Sequence, residues 1–322
     1  MARKTGISRY FREYKVSNVL AMVKNNRKDP KICTDEFSGE LVVITGATSG
    51  IGYLTAKKYA SKGANLLCIN RNPEKSEALK KEIESEFGVK CDYKIADLSV
   101  LKDIHKLADE LANIDAPIDV LIHNAGVFLK KRQINQDGIE KVFVVQHLAS
   151  FIINYKIRDK LKSQEKSRII LVNSEGHRFA AWGLKMNDLN WDKRSYSGLK
   201  SYGSAKLSQL LTMMVFSENF SDSGVTINAM HPGAVKTETG QENGPLYRWY
   251  KKNILDKMLK SADLSAEALY YLGVSDEMEG ISGKFYNLTT EETPAPPALD
   301  IGAAHEIWNK SLQLTGIQET DN

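Results

Sequence analysis

The chain has 322 residues, 42% of them hydrophobic and 26% charged, with a formal net charge of +4. Three cysteines are too few for a disulfide-rich secreted scaffold, and no apolar stretch approaches the roughly 18 residues of a membrane-spanning helix. No Cys/His/carboxylate cluster has metal-ligand spacing and no basic aromatic motif is present, so neither a metal ion nor a nucleic acid is expected. We expect a cytoplasmic protein, either free or peripheral to a membrane.

Positive charge is concentrated at the start of the chain. Residues 1–31 carry nine Lys or Arg against two acidic residues, whereas the rest is slightly acidic. Apolar side chains recur at helical spacing on one face and then on the opposite face: Ile7, Tyr10, Phe11, Tyr14, Val16, Val19, Leu20 and Val23. We predict a basic helical extension over residues 1–39, in which residues 1–28 contact an anionic membrane or partner. The alternative is an arm that packs on its own domain or on a second subunit of a homo-oligomer.

The first strong motif is an apolar, β-branched run, Leu41–Thr45, followed by three glycines in the spacing Gly-x-x-x-Gly-x-Gly. Apolar residues then recur at roughly helical spacing, so the pattern predicts a strand, a tight turn and a helix. Glycine lets the backbone approach a pyrophosphate, and free amides at a helix start favour an anion. A plain strand-to-helix turn is the alternative. The residues predicted to bind a dinucleotide are Gly46, Thr48, Ser49, Gly50, Ile51 and Gly52.

The residue after the second predicted strand, residues 65–70, bears on the choice of cofactor. Arg71 follows this strand, near the place where an NAD enzyme usually has a carboxylate for the ribose hydroxyls. A guanidinium suits a 2′-phosphate, which a carboxylate would repel. We therefore predict that Arg71 selects NADP(H) over NAD(H). The alternative is an exposed loop residue without a role.

Short apolar strands alternate with helical stretches from Leu41 to about Met230. This alternation predicts an α/β fold with one doubly wound, Rossmann-type parallel sheet and helices on both faces. Further strands are predicted over residues 168–173 and 283–288, followed by a Pro-rich surface loop over residues 289–297. No Gly/Ser/Pro-rich linker divides the chain, so we expect a single domain over residues 40–316 and a short tail over residues 317–322.

Tyr202 and Lys206 are four residues apart, downstream of Ser174, which follows the predicted fifth strand. On a helix these two side chains share a face, so the ammonium can lie beside the phenol. A neighbouring positive charge would lower the pKa of Tyr202 and make it a proton donor and acceptor near neutrality. An isolated Tyr-x-x-x-Lys is usually an exposed tyrosine beside a solvated lysine. Here its position after the glycine turn and Ser174 favours catalysis.

With these motifs, the chain from about Glu40 to about Gly316 resembles the short-chain dehydrogenase/reductase superfamily, and within it the retinol dehydrogenases and related carbonyl reductases. The resemblance implies that Ser174 donates a hydrogen bond to the substrate oxygen and that Tyr202 gives it a proton during reduction. It also implies that Lys206 lowers the pKa of the tyrosine and binds the nicotinamide ribose.

Three further stretches match the same family in order: Asp97-Leu98, His123-Asn124-Ala125-Gly126 and His231-Pro232-Gly233. The resemblance implies that Asp97 and Leu98 contact the adenine and that Asn124 and Gly126 line the cofactor. It implies that Thr237 helps to hold the nicotinamide carboxamide.

One position departs from the family's pattern. Where the family usually has Val-Asn-His-Leu, this chain has Val145-Gln146-His147-Leu148. The resemblance implies that the asparagine kinks its helix and holds a water that relays protons to the lysine. Glutamine carries the same amide with one more methylene. We therefore keep Gln146 among the catalytic residues and expect a slower or pH-shifted enzyme.

Taken together, the sequence predicts an NADP(H)-dependent oxidoreductase that transfers hydride between nicotinamide and a hydrophobic carbonyl or alcohol, such as an aldehyde, ketone, retinoid or steroid. The apolar substrate follows from two aromatic stretches that the resemblance assigns to the pocket, after Ser174 and over about residues 236–262. They could instead be core or oligomer contacts. The alternative from a different class is a low-turnover nucleotide-binding sensor or scaffold, and Gln146 and the basic extension are its main support. The aromatic residues of the two stretches assigned to the substrate pocket are Phe179, Trp182, Trp191, Tyr196, Tyr247, Trp249 and Tyr250.

Overall fold

An eight-stranded sheet lies at the centre of the computed structural model, which describes residues 10–15, 17–18, 24–25, 28–233 and 262–318. In chain order the strands are β1 (Leu41–Thr45), β2 (Asn65–Asn70), β3 (Cys91–Ile95), β4 (Val120–His123), β5 (Ser167–Val172), β6 (Val225–His231), β7 (Phe285–Asn287) and β8 (Thr290–Glu291). In space the order is β3-β2-β1-β4-β5-β6-β7-β8. All neighbouring strands are parallel except β7 and β8. The chain reverses its winding between β1 and β4, where parallel α/β sheets form a binding crevice.

The helices connect these strands and cover the sheet. They are α1 (Gly50–Ala60), α2 (Pro73–Phe87), α3 (Leu101–Ala112), α4 (Lys141–Phe143), α5 (Ala149–Lys162), α6 (Gly198–Asn219), α7 (Ala262–Val274) and α8 (Ile301–Thr315). A π-helical turn, Val144–Leu148, joins α4 directly to α5. Short 3₁₀ helices lie at Glu175–Ala180, Asp276–Met278 and Pro296–Leu299. Within the described ranges, none of the helices has the length and apolar character needed to span a membrane.

The core is divided between the two faces of the sheet. Successive strand residues point to opposite faces, so Val43 packs with α3, α5, α6 and α8, whereas Val42 and Ile44 pack with α1, α2 and α7. Both faces of the central strands β1, β4 and β5 are therefore buried, which explains why these strands are mostly apolar. The predicted doubly wound α/β fold is confirmed.

Two predicted strands have different ends in the structure. The fifth strand ends at Val172 and not at residue 173. Asn173 leaves strand geometry with its side chain hydrogen-bonded to Ser174 and Lys206. The last predicted strand, residues 283–288, contracts to Phe285–Asn287 because both of its ends have positive φ, +73° at Gly283 and +54° at Leu288.

The prediction of a surface loop over residues 289–297 is wrong. Thr290–Glu291 pairs with β7 as an antiparallel strand, and Pro296 and Pro297 are buried. Glu292 is also buried, where Arg178 pairs with its carboxylate. The ion pair of Glu292 joins residues 114 positions apart, so the local composition could not indicate it.

The described part of the N-terminal extension lies on the domain itself. Tyr10 is 4% exposed and its hydroxyl donates to Asp300 Oδ2 at 2.8 Å. The Tyr14 hydroxyl donates to the carbonyl of Ala181, also at 2.8 Å. Most of residues 1–28, for which a membrane or partner contact is predicted, lie outside the described ranges.

Candidate active site

The glycine turn after β1 is held by close backbone contacts. Gly46 has φ +73° and its N–H donates to the carbonyl of Ile69 at 2.8 Å, so the ends of β1 and β2 are fixed together. A Cβ atom on Gly52 would overlap the Gly46 carbonyl oxygen, and therefore only glycine lets α1 start this close to the turn. Gly50 has φ +56° and open space where a Cβ atom would be. The Ser49 side chain does not cap α1, which leaves the amides of the first turn available to an anion such as a pyrophosphate.

Asn124 ties the end of β4 to this turn. Its Nδ2 atom donates to the carbonyls of Thr45 and Gly46, both at 3.0 Å, and its backbone N–H donates to Thr45 Oγ1 at 3.0 Å. Gly126 lies two residues further on, against Gln146, where a Cβ atom would stand 2.8 Å from Nε2 of the glutamine. The structure thus brings Asn124 and Gly126 to the same edge of the sheet as the glycine turn.

Arg71 and Asp97 lie near each other at the carboxyl ends of β2 and β3. Burial acts to raise the pKa of Asp97, but hydrogen bonds from Ser99 and the charge of Arg71 together hold that pKa below its usual value. Arg71 is exposed, whereas Leu98 is half-buried. Behind them, Asn70 accepts from the Ala47 N–H at 2.8 Å, and its Nδ2 atom is buried without a partner. These groups could hold the adenosine half of a dinucleotide.

Ser174 and Tyr202 come together beyond the end of β5. The Ser174 Oγ atom accepts from the Gly176 N–H at 3.0 Å, and it lies near enough to the Tyr202 side chain to act on the pKa of the phenol. Gly176 leaves room for the phenol, because a Cβ atom there would stand 2.7 Å from Cε1 of Tyr202. The edge of Phe128 closes the other side, with ring centres 6.0 Å apart. The Ser174 and Tyr202 side chains therefore lie close together.

Lys206 is buried on the same helix, but its contacts differ from those expected. Its Nζ atom donates to the carbonyl of Val172 at 2.6 Å and lies 5.9 Å from the centre of the Tyr202 ring. Burial lowers the pKa of Lys206 to about 7. Burial raises the pKa of Tyr202, and the nearby Ser174 side chain offsets this rise only in part. The prediction that Lys206 lowers the tyrosine pKa is wrong for this arrangement, since desolvation dominates both groups.

An amide network supports these residues from behind. Asn173 Oδ1 accepts from the Ser174 N–H at 2.8 Å, and Nδ2 donates to the carbonyl of Lys206 at 3.0 Å and to Gln209 Oε1 at 2.9 Å. Gln209 then donates to Ser150 Oγ at 3.3 Å. The sequence patterns did not single out Asn173 or Gln209 as parts of the site. The available signal was an amide side chain three positions after Lys206, on the same face of the helix.

Gln146 lies inside the π-helical turn, at the place where the resemblance implies a kinked helix. Its Nε2 atom donates to the carbonyl of Val127 at 2.9 Å, and its Oε1 atom is buried without a hydrogen-bond partner. π-helical turns within α-helices are frequent at functional sites. The amide therefore reaches the loop after β4 and keeps one free acceptor there.

His177 holds the backbone of the serine. Its Nδ1 atom lies 2.7 Å from the Ser174 carbonyl oxygen, and its Nε2 atom accepts from the Ala295 N–H at 3.0 Å. Nε2 is an acceptor, so the proton is assigned to Nδ1. Burial lowers the pKa of His177 to about 3, and the ring stays neutral at ordinary pH. No pattern in the sequence indicates this role.

The aromatic residues between Ser174 and Tyr202 divide into two pairs. Trp191 is buried between Arg194 and the ring of Tyr196, 5.6 Å away, so this pair belongs to the packing and not to a pocket. Phe179 and Trp182 are 52% and 41% exposed. Among the described residues, no group of three His, Cys, Asp or Glu could hold a metal ion. Thr237 and the aromatic residues of 236–262, namely Tyr247, Trp249 and Tyr250, lie outside the described ranges.

Comparison with known proteins gives consistent matches. Residues 40–184 match the family of short chain dehydrogenases. The chain is 35% identical to human Retinol dehydrogenase 13, over 87% of this chain and 86% of that protein, and 30% identical to the human WW domain-containing oxidoreductase, over 88% and 69%. A solved structure of an uncharacterised protein from Mycobacterium paratuberculosis has a TM-score of 0.69 at 27% identity, covering 88% of this chain and 95% of that one. A short chain dehydrogenase from Burkholderia cenocepacia, solved with NADP, has a TM-score of 0.63 at 20% identity, covering 81% and 99%.

Proposed function

Since the chain belongs to the short-chain dehydrogenase/reductase family, we propose that it uses NADP(H) to interconvert a hydrophobic carbonyl compound and its alcohol. Membership of the family makes it an NAD(P)-dependent oxidoreductase that acts on CH–OH groups. The proposal concerns the choice of cofactor and the class of substrate. The observation that carries it is the proximity of the Ser174 and Tyr202 side chains, which both flank Gly176, with Lys206 on the same helix as Tyr202, at the sheet edge that holds the glycine turn.

The residues of the pair have separable tasks. The Ser174 hydroxyl donates a hydrogen bond to the substrate carbonyl oxygen and so stabilises the charge that develops on it. Tyr202 gives that oxygen a proton. Burial raises the pKa of Tyr202, so the phenol is protonated at neutral pH, which is the form that reduction requires. The pKa of Lys206 near 7 lets its Nζ atom take up and release a proton in the same range. NADP(H), when bound, supplies or accepts the hydride.

Several groups are suited to hold the cofactor. The free amides at the start of α1 and the open space at Gly50 suit the pyrophosphate. Arg71 is exposed beside Asp97 and suits a 2′-phosphate, and we propose that this guanidinium sets the preference for NADP(H). Thr237 remains the proposed contact for the nicotinamide carboxamide.

The cofactor proposal predicts the effect of Arg71→Ala. Loss of a charge-assisted contact of about 1.5–3 kcal/mol should raise the KM for NADPH about 10- to 100-fold and leave the KM for NADH nearly unchanged. The measurement is initial rates with each cofactor. Arg158→Ala is the matched control, since Arg158 lies near the carboxyl end of α5, which leads to the opposite edge of the sheet. Equal turnover of NADH and NADPH by the wild type would contradict the assignment.

The substrate proposal rests on two supports. Phe179 and Trp182 are exposed on the stretch after Ser174, and the names of the relatives Retinol dehydrogenase 13 and Retinol dehydrogenase 12 refer to an apolar alcohol. We therefore expect activity towards apolar aldehydes and ketones, and towards the corresponding alcohols in the reverse direction.

The test of the reaction is NADPH oxidation, followed by absorbance, across a panel of apolar aldehydes and ketones. Tyr202→Phe should lower kcat about 10³-fold because the proton donor is lost. Tyr155→Phe is the matched control: its buried hydroxyl has no hydrogen-bond partner, so its removal should leave turnover unchanged. Binding of NADPH without turnover of any panel member would favour the alternative of a low-turnover nucleotide-binding sensor.

A further inference from the structure

The stretch over residues 175–183, here called the serine loop, leads directly away from Ser174. One side of it packs on the catalytic helix α6. A Cβ atom on Gly203 would stand 2.7 Å from the Gly176 carbonyl oxygen and 2.8 Å from Cβ of Phe179. Gly203 is the neighbour of Tyr202, so the position of the serine loop and the position of the phenol are linked through close packing.

The other side of the serine loop is covered by the described N-terminal residues 10–15, 17–18 and 24–25, here called the N-terminal strap. The Tyr14 hydroxyl donates to the Ala181 carbonyl at 2.8 Å, and the Tyr14 ring meets the edge of Trp182 with centres 6.0 Å apart. The Tyr10 ring lies so close to Gly183 that a Cβ atom on this glycine would stand 2.9 Å from Cε2 of the tyrosine. Both tyrosines thus contact the far end of the serine loop.

The near end of the serine loop is joined to the strap through a buried carboxylate. Glu292 is 5% exposed and accepts from Arg178 of the serine loop at 2.8 Å and from Asn25 of the strap at 3.1 Å. Arg178 also pairs with Glu175, next to the catalytic serine. A buried carboxylate is tolerated only when donors surround it. Loss of Asn25 leaves the Oε2 atom of Glu292 with the longer bond from Asn287, at 3.5 Å, so the carboxylate and its partner Arg178 are held less firmly in place.

We propose that the N-terminal strap is part of the active site, with Tyr10, Tyr14 and Asn25 as positioning residues that hold the serine loop and thereby set substrate binding. This inference rests on the proposed function. The strap fastens the loop that carries Phe179 and Trp182, and none of its contacts described above reaches the glycine turn or Arg71. Its effect is therefore confined to the carbonyl substrate and does not extend to the cofactor.

The test uses Tyr10→Phe, Tyr14→Phe and Asn25→Ala in the full-length protein, singly and combined. Each lost hydrogen bond is worth about 1 kcal/mol, so hydrogen exchange of the amides in 175–183 should become about 5-fold faster in each single variant. The KM for the carbonyl substrate should rise about 3- to 10-fold while the KM for NADPH stays within about 2-fold. Tyr93→Phe is the matched control, because its hydroxyl also makes one hydrogen bond, to Glu77 at 3.2 Å, at the far edge of the sheet.

Exchange in 175–183 that matches the Tyr93→Phe control would overturn the inference, whether or not the protein turns over any substrate. A parallel rise in the KM for NADPH and for the carbonyl would also overturn it, because general damage and not local positioning would then explain the loss. Absence of turnover in the wild type would refute the proposed function alone, and the exchange measurement would still decide the role of the strap. If the combined variant does not fold, the single Tyr14→Phe variant carries the test.

Discussion

The cofactor side and the substrate side of the site are held together in different ways. At the glycine turn, Ala47 donates to Asn70, 23 positions along the chain. Around the serine loop, Tyr10 contacts Asp300 over 290 positions and Arg178 contacts Glu292 over 114. The cofactor side thus rests on strand-turn-helix motifs that Asn124 joins to the end of β4 over 78 positions, whereas much of the substrate side depends on contacts that form only when nearly the whole chain has folded.

The two sides also differ in chemistry. The glycine turn is set by the absence of side chains, which lets backbone atoms approach one another. The serine loop is fixed by polar and charged groups, chiefly the buried His177 and Glu292 and the half-buried Arg178. Substitutions that add bulk should therefore affect binding of the cofactor most on the first side, and substitutions that remove hydrogen bonds should affect the substrate most on the second.

The largest effect is expected from two glycine-to-alanine substitutions, Gly52→Ala on the cofactor side and Gly203→Ala on the substrate side. In Gly52→Ala the new methyl group overlaps the backbone oxygen of Gly46 and the amide of Asn124, so we expect a loss of about 3 kcal/mol of unfolding free energy and at least a 10-fold higher KM for NADPH. In Gly203→Ala, better helix propensity offsets part of the strain, about 1 kcal/mol. The serine loop is displaced instead, so kcat/KM for the carbonyl should fall while the KM for NADPH stays the same.

Denaturant unfolding and cofactor titration of the two alanine variants provide the measurement, and each variant is the control for the other. If Gly203→Ala weakens NADPH binding as much as Gly52→Ala does, the distinction between the two sides is wrong. In that case a change on the substrate side would alter the cofactor side to the same extent.

The cofactor side could be predicted well from the sequence because its strand, turn and helix are specified by residues that are close together in the chain. A β-branched run before glycines at fixed spacing indicates strand, turn and helix with little ambiguity, and β1 and β2 occupy the predicted residues. Leu41 to Met230 also shows the alternation that indicates a doubly wound sheet. The sequence also predicted that Ser174 follows the fifth strand and that Tyr202 and Lys206 share a helix.

The rest could not be predicted because it depends on burial and long-range partners. The buried course of residues 289–297 follows from Arg178 and His177, which are far away in sequence. The direction of the tyrosine pKa depends on how deeply Tyr202 and Lys206 are buried, which a spacing of four residues does not reveal. Asn173 and Gln209 are ordinary residues in sequence, and only their shared hydrogen bond makes them part of the site.

Lys206 lies between the cofactor side and the substrate side. Because it is buried, its substitution is expected to have the next largest effect. Burial lowers its pKa from 10.5 to about 7, so the folded protein holds fewer protons than the unfolded chain between these pH values. The cost of burying the charge is present in full below about pH 7 and disappears as the pH rises towards 10.5. Lys206→Met should therefore raise the unfolding free energy by roughly 2–4 kcal/mol at pH 6, after allowance for the lost bond to Val172, and abolish turnover.

The measurement is denaturant unfolding of the cofactor-free protein at pH 6, 8 and 10, with wild type and variant compared at each pH. The gain should shrink as the pH rises. A variant less stable than the wild type at pH 6 would mean that the ammonium is better satisfied than its contacts with Val172 and Gln209 indicate.

The smallest effect is expected at Gln146, in the π-helical turn beside the loop after β4. Gln146→Asn shortens the side chain by one methylene, so Nε2 loses its bond to Val127, worth about 1 kcal/mol, and the close contact with Gly126 is relieved. The buried Oε1 atom has no partner to lose, so we expect turnover to stay within about 3-fold of the wild type or to rise. The pH profile of kcat, measured for both proteins with the same carbonyl, tests this. A loss of 100-fold or more would show that glutamine at this position has a role of its own, and the cofactor side would then depend on a residue that its glycine motif does not contain.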